Sequence, residues 1–527
     1  MLWGKLIDHD RCIGCHACSV ACKVENQVPL GVFRTWVKQV EKGHGLDARR
    51  HFGVLRCNQC DNAPCVAICP TQAMHRRPDG IVDFDPAICV GCKACILACP
   101  YDAIYIDPSQ GTAAKCNFCA HRVEVGLEPA CVSACPTGAL QVSDLHEPGS
   151  PVARAVSRQA VQVRKPELGT QPKVFYKGAD QSVLDPHAAA RPGVGYWGGC
   201  REVEPEAQEP LPGGPRLPGA PAAARVAYDV PREGVPWGAK VSAYLLAKGI
   251  GGGALLVGGL LSLFVGPAML HWWPALLGIV GIALATLMLV LDLKRPERFL
   301  LLITRPHWNS WLVKGAWVLM GASALAALWG SLMLSYGVRP AREGGLADWV
   351  WQVLGVASAL GGAAAAGYTA FLFGQARGRA FWQSSLLLPH LVVQAALCGS
   401  AALALLPGLL GHERLGQPLW EARLQWLGAV MVVALVLDLL MIAAELRAHG
   451  GEDVRVATRW LNDGRQSQAL WLGVFALGHV FPLVALVAAF SLPGAALAVP
   501  IAGVAALAGT AIWDHLYVQA GQVPPLS

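Results

Sequence analysis

Charge is scarce in this chain. Of its 527 residues only 15% are charged, against 54% that are hydrophobic, and the formal net charge is +6. No basic stretch with interleaved aromatics occurs, so nucleic acid is not an expected partner. Met1 to Asp10 hold no apolar signal core and no twin-arginine pair, and a cysteine motif already begins at Cys12. No cleavable targeting segment is expected there. Cysteine is nearly absent from most of the chain: of 18 cysteines, only Cys200 and Cys398 lie beyond residue 135. Long apolar runs, in turn, are missing before about residue 241. The two absences divide the chain into unlike parts, as its length allows.

What the first part does have is sixteen cysteines in four groups of four. They are Cys12, Cys15, Cys18 and Cys22; Cys57, Cys60, Cys65 and Cys69; Cys89, Cys92, Cys95 and Cys99; and Cys116, Cys119, Cys131 and Cys135. The first and third groups read C-x2-C-x2-C-x3-C, and Cys69, Cys99 and Cys135 are each followed by proline. That is the bacterial ferredoxin spacing for cubane iron–sulfur clusters. Three cysteines wrap one face of a cubane, and the fourth points away to a neighbouring cluster. The proline fixes the backbone direction after it. A disulfide framework does not call for this spacing. Structural zinc normally uses paired C-x2-C knuckles and stays open only for the fourth group, with its long Cys119–Cys131 gap. Sixteen thiolates suffice for four [4Fe-4S] clusters, whose use is one-electron transfer over distance. Short extended runs follow the last three groups, at Ala73–His75 with Gly80–Asp83, Ala103–Ile106 and Gly138–Val142, and fit the small antiparallel strands of a ferredoxin-like fold.

With these motifs and the closing run Gly169–Tyr176, residues 1–185 resemble the four-cluster iron–sulfur subunit of the dimethyl sulfoxide reductase family of molybdopterin oxidoreductases. The resemblance implies which cysteines combine. One cluster would take Cys12, Cys15, Cys18 and Cys135, and a second Cys22, Cys116, Cys119 and Cys131. A third would take Cys57, Cys60, Cys65 and Cys99, and a fourth Cys69, Cys89, Cys92 and Cys95. Some relatives lack a ligand and hold a three-iron cluster, but no motif here lacks a cysteine.

From Asp185 the composition turns to proline and glycine, and 186–237 reads as a linker in which Cys200 is incidental. The part from 238 to 527 carries eight runs of spanning length, at 242–266, 269–292, 311–335, 349–374, 383–407, 422–445, 468–491 and 494–516. Dense glycine and alanine in them suit close helix packing in lipid. The expected fold class is therefore an α+β ferredoxin-like double two-cluster domain joined to an all-α membrane domain of eight helices. Eight spans return the chain to the side it left. Loops on that side hold Lys294, Arg295, Arg298, Arg305, Arg377, Arg379, Arg447, Arg455, Arg459 and Arg465, against Arg339, Arg342, Arg414 and Arg423 opposite. The positive-inside rule then puts the iron–sulfur domain on the cytoplasmic side of the inner membrane. The periplasmic side is the alternative.

Asp292–Phe299 with Asn309-Ser310-Trp311, and Gly367-Tyr368-Thr369 with Ala376–Trp382, are similar to the NrfD/polysulfide reductase type of membrane anchor. That resemblance implies a site for an exchangeable quinone, menaquinone or ubiquinone, at Asp292 and Tyr368, and no haem. Lys248 joins them on the residues alone, since ionisable groups within spans tend to mark functional paths. His390 and His479 stand at different depths, which does not suit a bis-histidine haem. Asp438 and Glu445 belong either to a proton path or to interhelical hydrogen bonds.

The expected function is electron transfer between a separate molybdopterin-containing catalytic subunit and membrane quinone, in the quinone-reducing direction of a sulfite-oxidising complex. Two alternatives stand beside it. One is a quinol-oxidising reductase of polysulfide, thiosulfate or dimethyl sulfoxide type. The other is an energy-transducing assembly like alternative complex III, coupling redox to proton movement.

Overall fold

The computed structural model describes residues 1–43, 45–190, 224–230, 234–266, 270–336, 346–410, 417–447, 450–492 and 495–527. They form two compact units. One comprises Met1–Pro236 with Ala376–Gly378 and Pro525–Ser527, the other Trp237–Gln375 with Arg379–Pro524. The first is an α+β ferredoxin-like unit and the second is all-helical, as the sequence leads one to expect.

In the first unit, β1 (Trp3–Asp8) is central to a four-stranded sheet. It pairs antiparallel with β8 (Leu140–Asp144) and parallel with β10 (Val174–Lys177), and β9 (Val161–Gln162) closes the edge. Strand β10 alternates, burying Val174 and Tyr176 and leaving Phe175 and Lys177 part-exposed, the period-2 pattern of a pleated strand. A hairpin of β2 (Thr35–Lys42) and β3 (Arg49–Arg56) follows β1 in the chain. Two ribbons come next, β4 (Met74–Arg76) with β5 (Val82–Phe84), and β6 (Ile104–Ile106) with β7 (Ala113–Lys115). β4, β5 and β6 lie on extended runs read from the sequence, and β7 is an added partner for β6.

Most of the expected linker, with Cys200, lies outside the described residues. Its Arg225–Tyr228 is not irregular, however. This segment is β11 and pairs antiparallel with β2, buries Val226, and ties Arg225 to Glu41 at 2.7 Å.

Proline decides where the cysteine-bearing helices stop. Helices Pro64–Ile68 and Ala94–Ala98 end at Cys69 and Cys99, whose ψ values are 119° and 116°. The residue before a proline is driven out of helical backbone. In the first motif Lys23 stands where proline would be, and the helix continues from Ala17 to Glu25.

Among the described residues of the second unit, eight helices are long and apolar enough to cross a membrane. They are α1 (Ala239–Val265), α2 (Trp273–Asp292), α3 (Trp311–Tyr336), α4 (Leu346–Gln375), α5 (Leu387–Leu410), α6 (Gln417–Leu446), α7 (Gln466–Ser491) and α8 (Ala498–Ala520). Burial of 61% in the α1 window and 72% in α5, against 28% in α3 and α7, makes α1 and α5 the inner helices. Three consecutive glycines explain how α1 is enclosed. A Cβ on Gly251 would meet Ile282 N of α2 at 2.8 Å, one on Gly252 would meet Gly362 O of α4 at 2.9 Å, and one on Gly253 would collide with Ala395 O of α5. Each glycine serves a different neighbour, because small residues admit close backbones where lipid supplies no hydrophobic drive. Outward faces carry exposed Leu287, Val433, Leu440, Leu472 and Val484.

One charge reading changes. Arg423, taken as an edge residue of an opposite loop, is buried within α6 at 1% exposure. Arg339, Arg342 and Arg414 lie outside the described residues.

Candidate functional site

The cysteines come together in the groups that the resemblance implies. A cavity of about 330 Å³ is lined by Cys12, Cys15, Cys18 and Cys135, walled by Ile13, Val37, Val54 and Leu140. Another, of about 370 Å³, is lined by Cys69, Cys89, Cys92 and Cys95. Cys22 lies within electrostatic reach of Cys116, Cys119 and Cys131. Cys65 is likewise near Cys57, Cys60 and Cys99. Each motif therefore gives its fourth cysteine to a partner group, the outer two motifs to each other and the inner two to each other.

Local backbone builds these cages. Gly14 and His16 in the first motif have φ of 68° and 61°, and Gly91 and Lys93 in the third have 67° and 65°. The same left-handed pair turns both loops inward. At Gly14 a Cβ would run into the Phe52 ring, so neither the angle nor the space admits a side chain.

The donor set suits [4Fe-4S] clusters: four sulfurs stand around a cavity with apolar walls instead of converging on a point. Among the described residues no three Cys, His, Asp or Glu converge closely enough to hold a single metal ion. Backbone amides of Met74 and Ala113 donate to Cys69 Sγ at 3.4 Å and Cys89 Sγ at 3.5 Å. Burial, reinforced by neighbouring cysteines, pushes the thiols of Cys22 and Cys92 up to about 12. Cys131 is the exception. Burial works against its thiolate too, but Lys5 and Arg56 outweigh it and bring the thiol down to about 6.

The second unit holds a buried polar cluster toward the end where α1 begins and α4 finishes. Lys248 Nζ donates to Ala366 O at 2.7 Å and Thr369 Oγ1 at 2.6 Å. Tyr244 bonds Tyr368 and, at 2.9 Å, Thr369 Oγ1. Lys248 also lines a cavity of about 240 Å³ with Asp514, Gln394, Thr510 and Cys398. Asp438 bridges two histidines: its Oδ1 lies 3.0 Å from His390 Nε2 and its Oδ2 3.0 Å from His479 Nε2. His390 Nδ1 lies 3.1 Å from Glu445 Oε1, and His479 Nδ1 bonds Val474 O at 2.8 Å. Ala469–Val480 is wound as π-helix, a geometry frequent at functional sites.

Of the residues singled out for quinone, Lys248 and Tyr368 thus share one cluster. Asp292 sits half-buried at the end of α2, and the bonds of Lys248 and Tyr368 go to Ala366, Thr369 and Tyr244 instead. Tyr244, Thr369 and Asp514 were missed. Asp514 had a readable signal, a carboxylate inside a spanning run; Tyr244 and Thr369 look like ordinary residues of apolar helices until the fold pairs them.

Comparison with known proteins agrees with both halves. The family described as polysulphide reductase, NrfD, matches residues 230–525. A 4Fe-4S dicluster domain matches 49–145 and a 4Fe-4S binding domain 3–24. A tetrathionate reductase subunit of Salmonella typhimurium is 47% identical over 188 residues, 35% of this chain and 75% of that protein. A polysulfide reductase chain of Wolinella succinogenes is 42% identical over 176 residues, 33% of this chain and 92% of that protein. Thiosulfate reductase electron transfer subunit PhsB of Salmonella typhi is 47% identical over 159 residues, 30% of this chain and 82% of that protein.

Proposed function

Because this chain belongs to the polysulphide reductase NrfD family and carries 4Fe-4S domains in the same polypeptide, we propose that it is the electron-transfer and quinone-reactive membrane subunit of a molybdopterin oxidoreductase. The cysteine module 1–185 serves a separate catalytic subunit, and 238–527 serves menaquinone or ubiquinone. The observation that carries the reading is the fourfold grouping of all sixteen cysteines, together with a family-matched bundle that holds a buried Lys248–Tyr368 cluster.

Bound in the four cages, [4Fe-4S] clusters supply one-electron steps. The chain's own residues bury most of the ligand sulfurs, while Cys15 stays exposed. The apolar walls and sulfur-directed amides hold the cage shape, and the cysteines must lose their protons on loading. In the bundle, a quinone needs two protons for its two electrons. Lys248, Tyr244 and Tyr368 can bond its oxygens and exchange protons with it, and Asp292 at the end of α2 would deliver protons to them. The names of the three relatives favour the quinol-oxidising direction, with a partner that reduces an oxidised sulfur compound. Quinone reduction of the sulfite-oxidising kind is the reverse of that same wire. The excess of described basic loop residues from Lys294 to Arg459 favours the cytoplasmic side for the cysteine module.

One observation favours the energy-transducing reading as well. Asp438, Glu445, Asp514, His390 and His479 form a buried ionisable group spread over α5 to α8.

The test is quinone-linked turnover of the purified complex, with Lys248→Met and Asp292→Asn. Each should lose at least tenfold in turnover while iron content stays unchanged. Wild-type turnover in both would refute the quinone site. A co-purified partner without molybdopterin would refute the complex.

A further inference from the structure

Lys5 and Arg56 are both 0% exposed. Each donates a hydrogen bond to the same atom, Cys131 Sγ, at 3.1 Å. Arg56 Nε and Nη2 have no other partner among the described residues. Nor does either cation form an ion pair with a carboxylate there, as its neighbours do: Lys173 is held by Asp61 at 2.7 Å, and Lys177 by Asp8 at 3.0 Å. Asn26 Nδ2 adds weaker contacts to Cys22 Sγ at 3.8 Å and Cys119 Sγ at 3.7 Å.

The other three cages differ. Around Cys69, Cys89, Cys92 and Cys95 the neutral amides of Met74 and Ala113 donate to sulfur, and Thr71 and Ala94 add neutral donors, with the charge of Lys93 beside Cys92. Beside Cys57 and Cys65, Lys115 spends its hydrogen bonds on the carbonyls of Val82 and Cys116 rather than on a sulfur. At Cys135 the partners are neutral too, the Thr137 hydroxyl at 3.8 Å and the backbone amides of Thr137, Ala139 and Leu140. At the cage of Cys22, Cys116, Cys119 and Cys131 two fully buried cations hydrogen-bond one ligand sulfur, whereas Lys115 and Lys173 act on Cys57 through charge alone.

A buried cation without a counter-ion is costly, so the anion that Lys5 and Arg56 await is the thiolate-ligated cluster itself. Reduction makes that cluster more negative by one charge. Positive charge and hydrogen bonds on ligand sulfurs favour the more negative state, and both are recognised determinants of cluster potential. We propose that Lys5 and Arg56 are positioning residues that make the cluster of Cys22, Cys116, Cys119 and Cys131 the highest-potential of the four. Supplied by quinol or by the catalytic partner, the first electron to enter the module comes to rest there. This rests on the four-cluster reading above.

The test is EPR-monitored potentiometry on the full-length chain, with iron content measured alongside. Arg56→Gln and Lys5→Gln should each weaken the highest-potential reduction at least tenfold, about 59 mV for a one-electron couple, with the other three midpoints moving less, the Cys18 cage included although Arg56 also lies near it. Arg56→Lys, which keeps the charge, should stay within threefold of the unaltered protein. Four clusters with the highest midpoint unmoved in both Gln variants would overturn the inference alone. An equal shift of all four midpoints would also overturn it. Fewer than four clusters in the unaltered chain would instead overturn the reading beneath it. If both Gln variants fail to load iron while Arg56→Lys loads, the two charges serve assembly and not potential, and the inference falls.

Discussion

In the cysteine unit, Lys5 and Arg56 are buried against a sulfur and no carboxylate answers them among the described residues. In the membrane unit, one buried group answers itself: Asp438 lies between His390 and His479, and Glu445 closes on His390, while buried Arg423 has no hydrogen-bond partner among the described residues. The first arrangement is incomplete without an anionic guest. The second finds its counter-charges within the protein. The cysteine unit should therefore depend on its cofactors for stability, whereas the bundle should depend on its own side chains.

The largest test of that contrast is removal of iron with a chelator under reducing conditions. A broken buried ion pair costs about 3–5 kcal/mol, and the cysteines lose their bonds to iron besides. We expect protease to digest residues 1–185 while the helical circular dichroism of α1–α8 persists. A cysteine unit still resistant to protease without iron would break the comparison.

The next effect lies in the bundle. Asp438→Leu leaves His479 facing no carboxylate and His390 facing Glu445 alone, and should cost about 3–5 kcal/mol, read as a lower unfolding temperature in detergent. Adding His390→Leu, His479→Leu and Glu445→Leu should restore much of it, since apolar replacement of a whole buried ionic group is often neutral. If the fourfold variant is as unstable as the single one, the group does not act as a self-compensated set.

The smallest effect concerns His9. Burial pushes its imidazole down to about 4, with Asp8 opposing weakly, and its ring nitrogens have no hydrogen-bond partner among the described residues. The unfolded chain binds that proton near pH 6.5, the folded chain only near 4. Its contribution is therefore present above pH 6.5 and is lost as pH falls toward 4. The thermal stability of the cysteine unit should decline over that window, and His9→Asn should flatten the decline. An unchanged slope would assign it to other groups.

The parts legible in sequence were those fixed by local spacing. The cysteine motifs, the prolines after Cys69 and Cys99, and the spanning runs announce themselves within a few residues or one apolar window. What stayed hidden depends on chain segments meeting. Lys5 lies 126 residues before Cys131, and only the pairing of β1 with β8 and β10 brings it inward. Tyr244 and Thr369 meet because glycines let α1 and α4 touch. Asp292 was read from a motif and lies at the right end of the bundle, but its position in sequence could not tell that Lys248 and Tyr368 bond elsewhere. Strand β11 was masked by the proline-rich composition around it.

The nesting of the cysteine groups also bears on how the unit is made. Cys57–Cys99 and Cys69–Cys95 lie wholly inside the span closed by Cys12 with Cys135 and by Cys22 with Cys131. On a growing chain the inner pair of cages can close first. The outer pair must wait until Cys131 and Cys135 have emerged, with Cys12 to Cys22 held available meanwhile. Ordered loop closure of this kind makes the N-terminal motif the first to be synthesised and the last to be completed. An interrupted chain ending before residue 131 would carry two finished centres and a row of idle thiols.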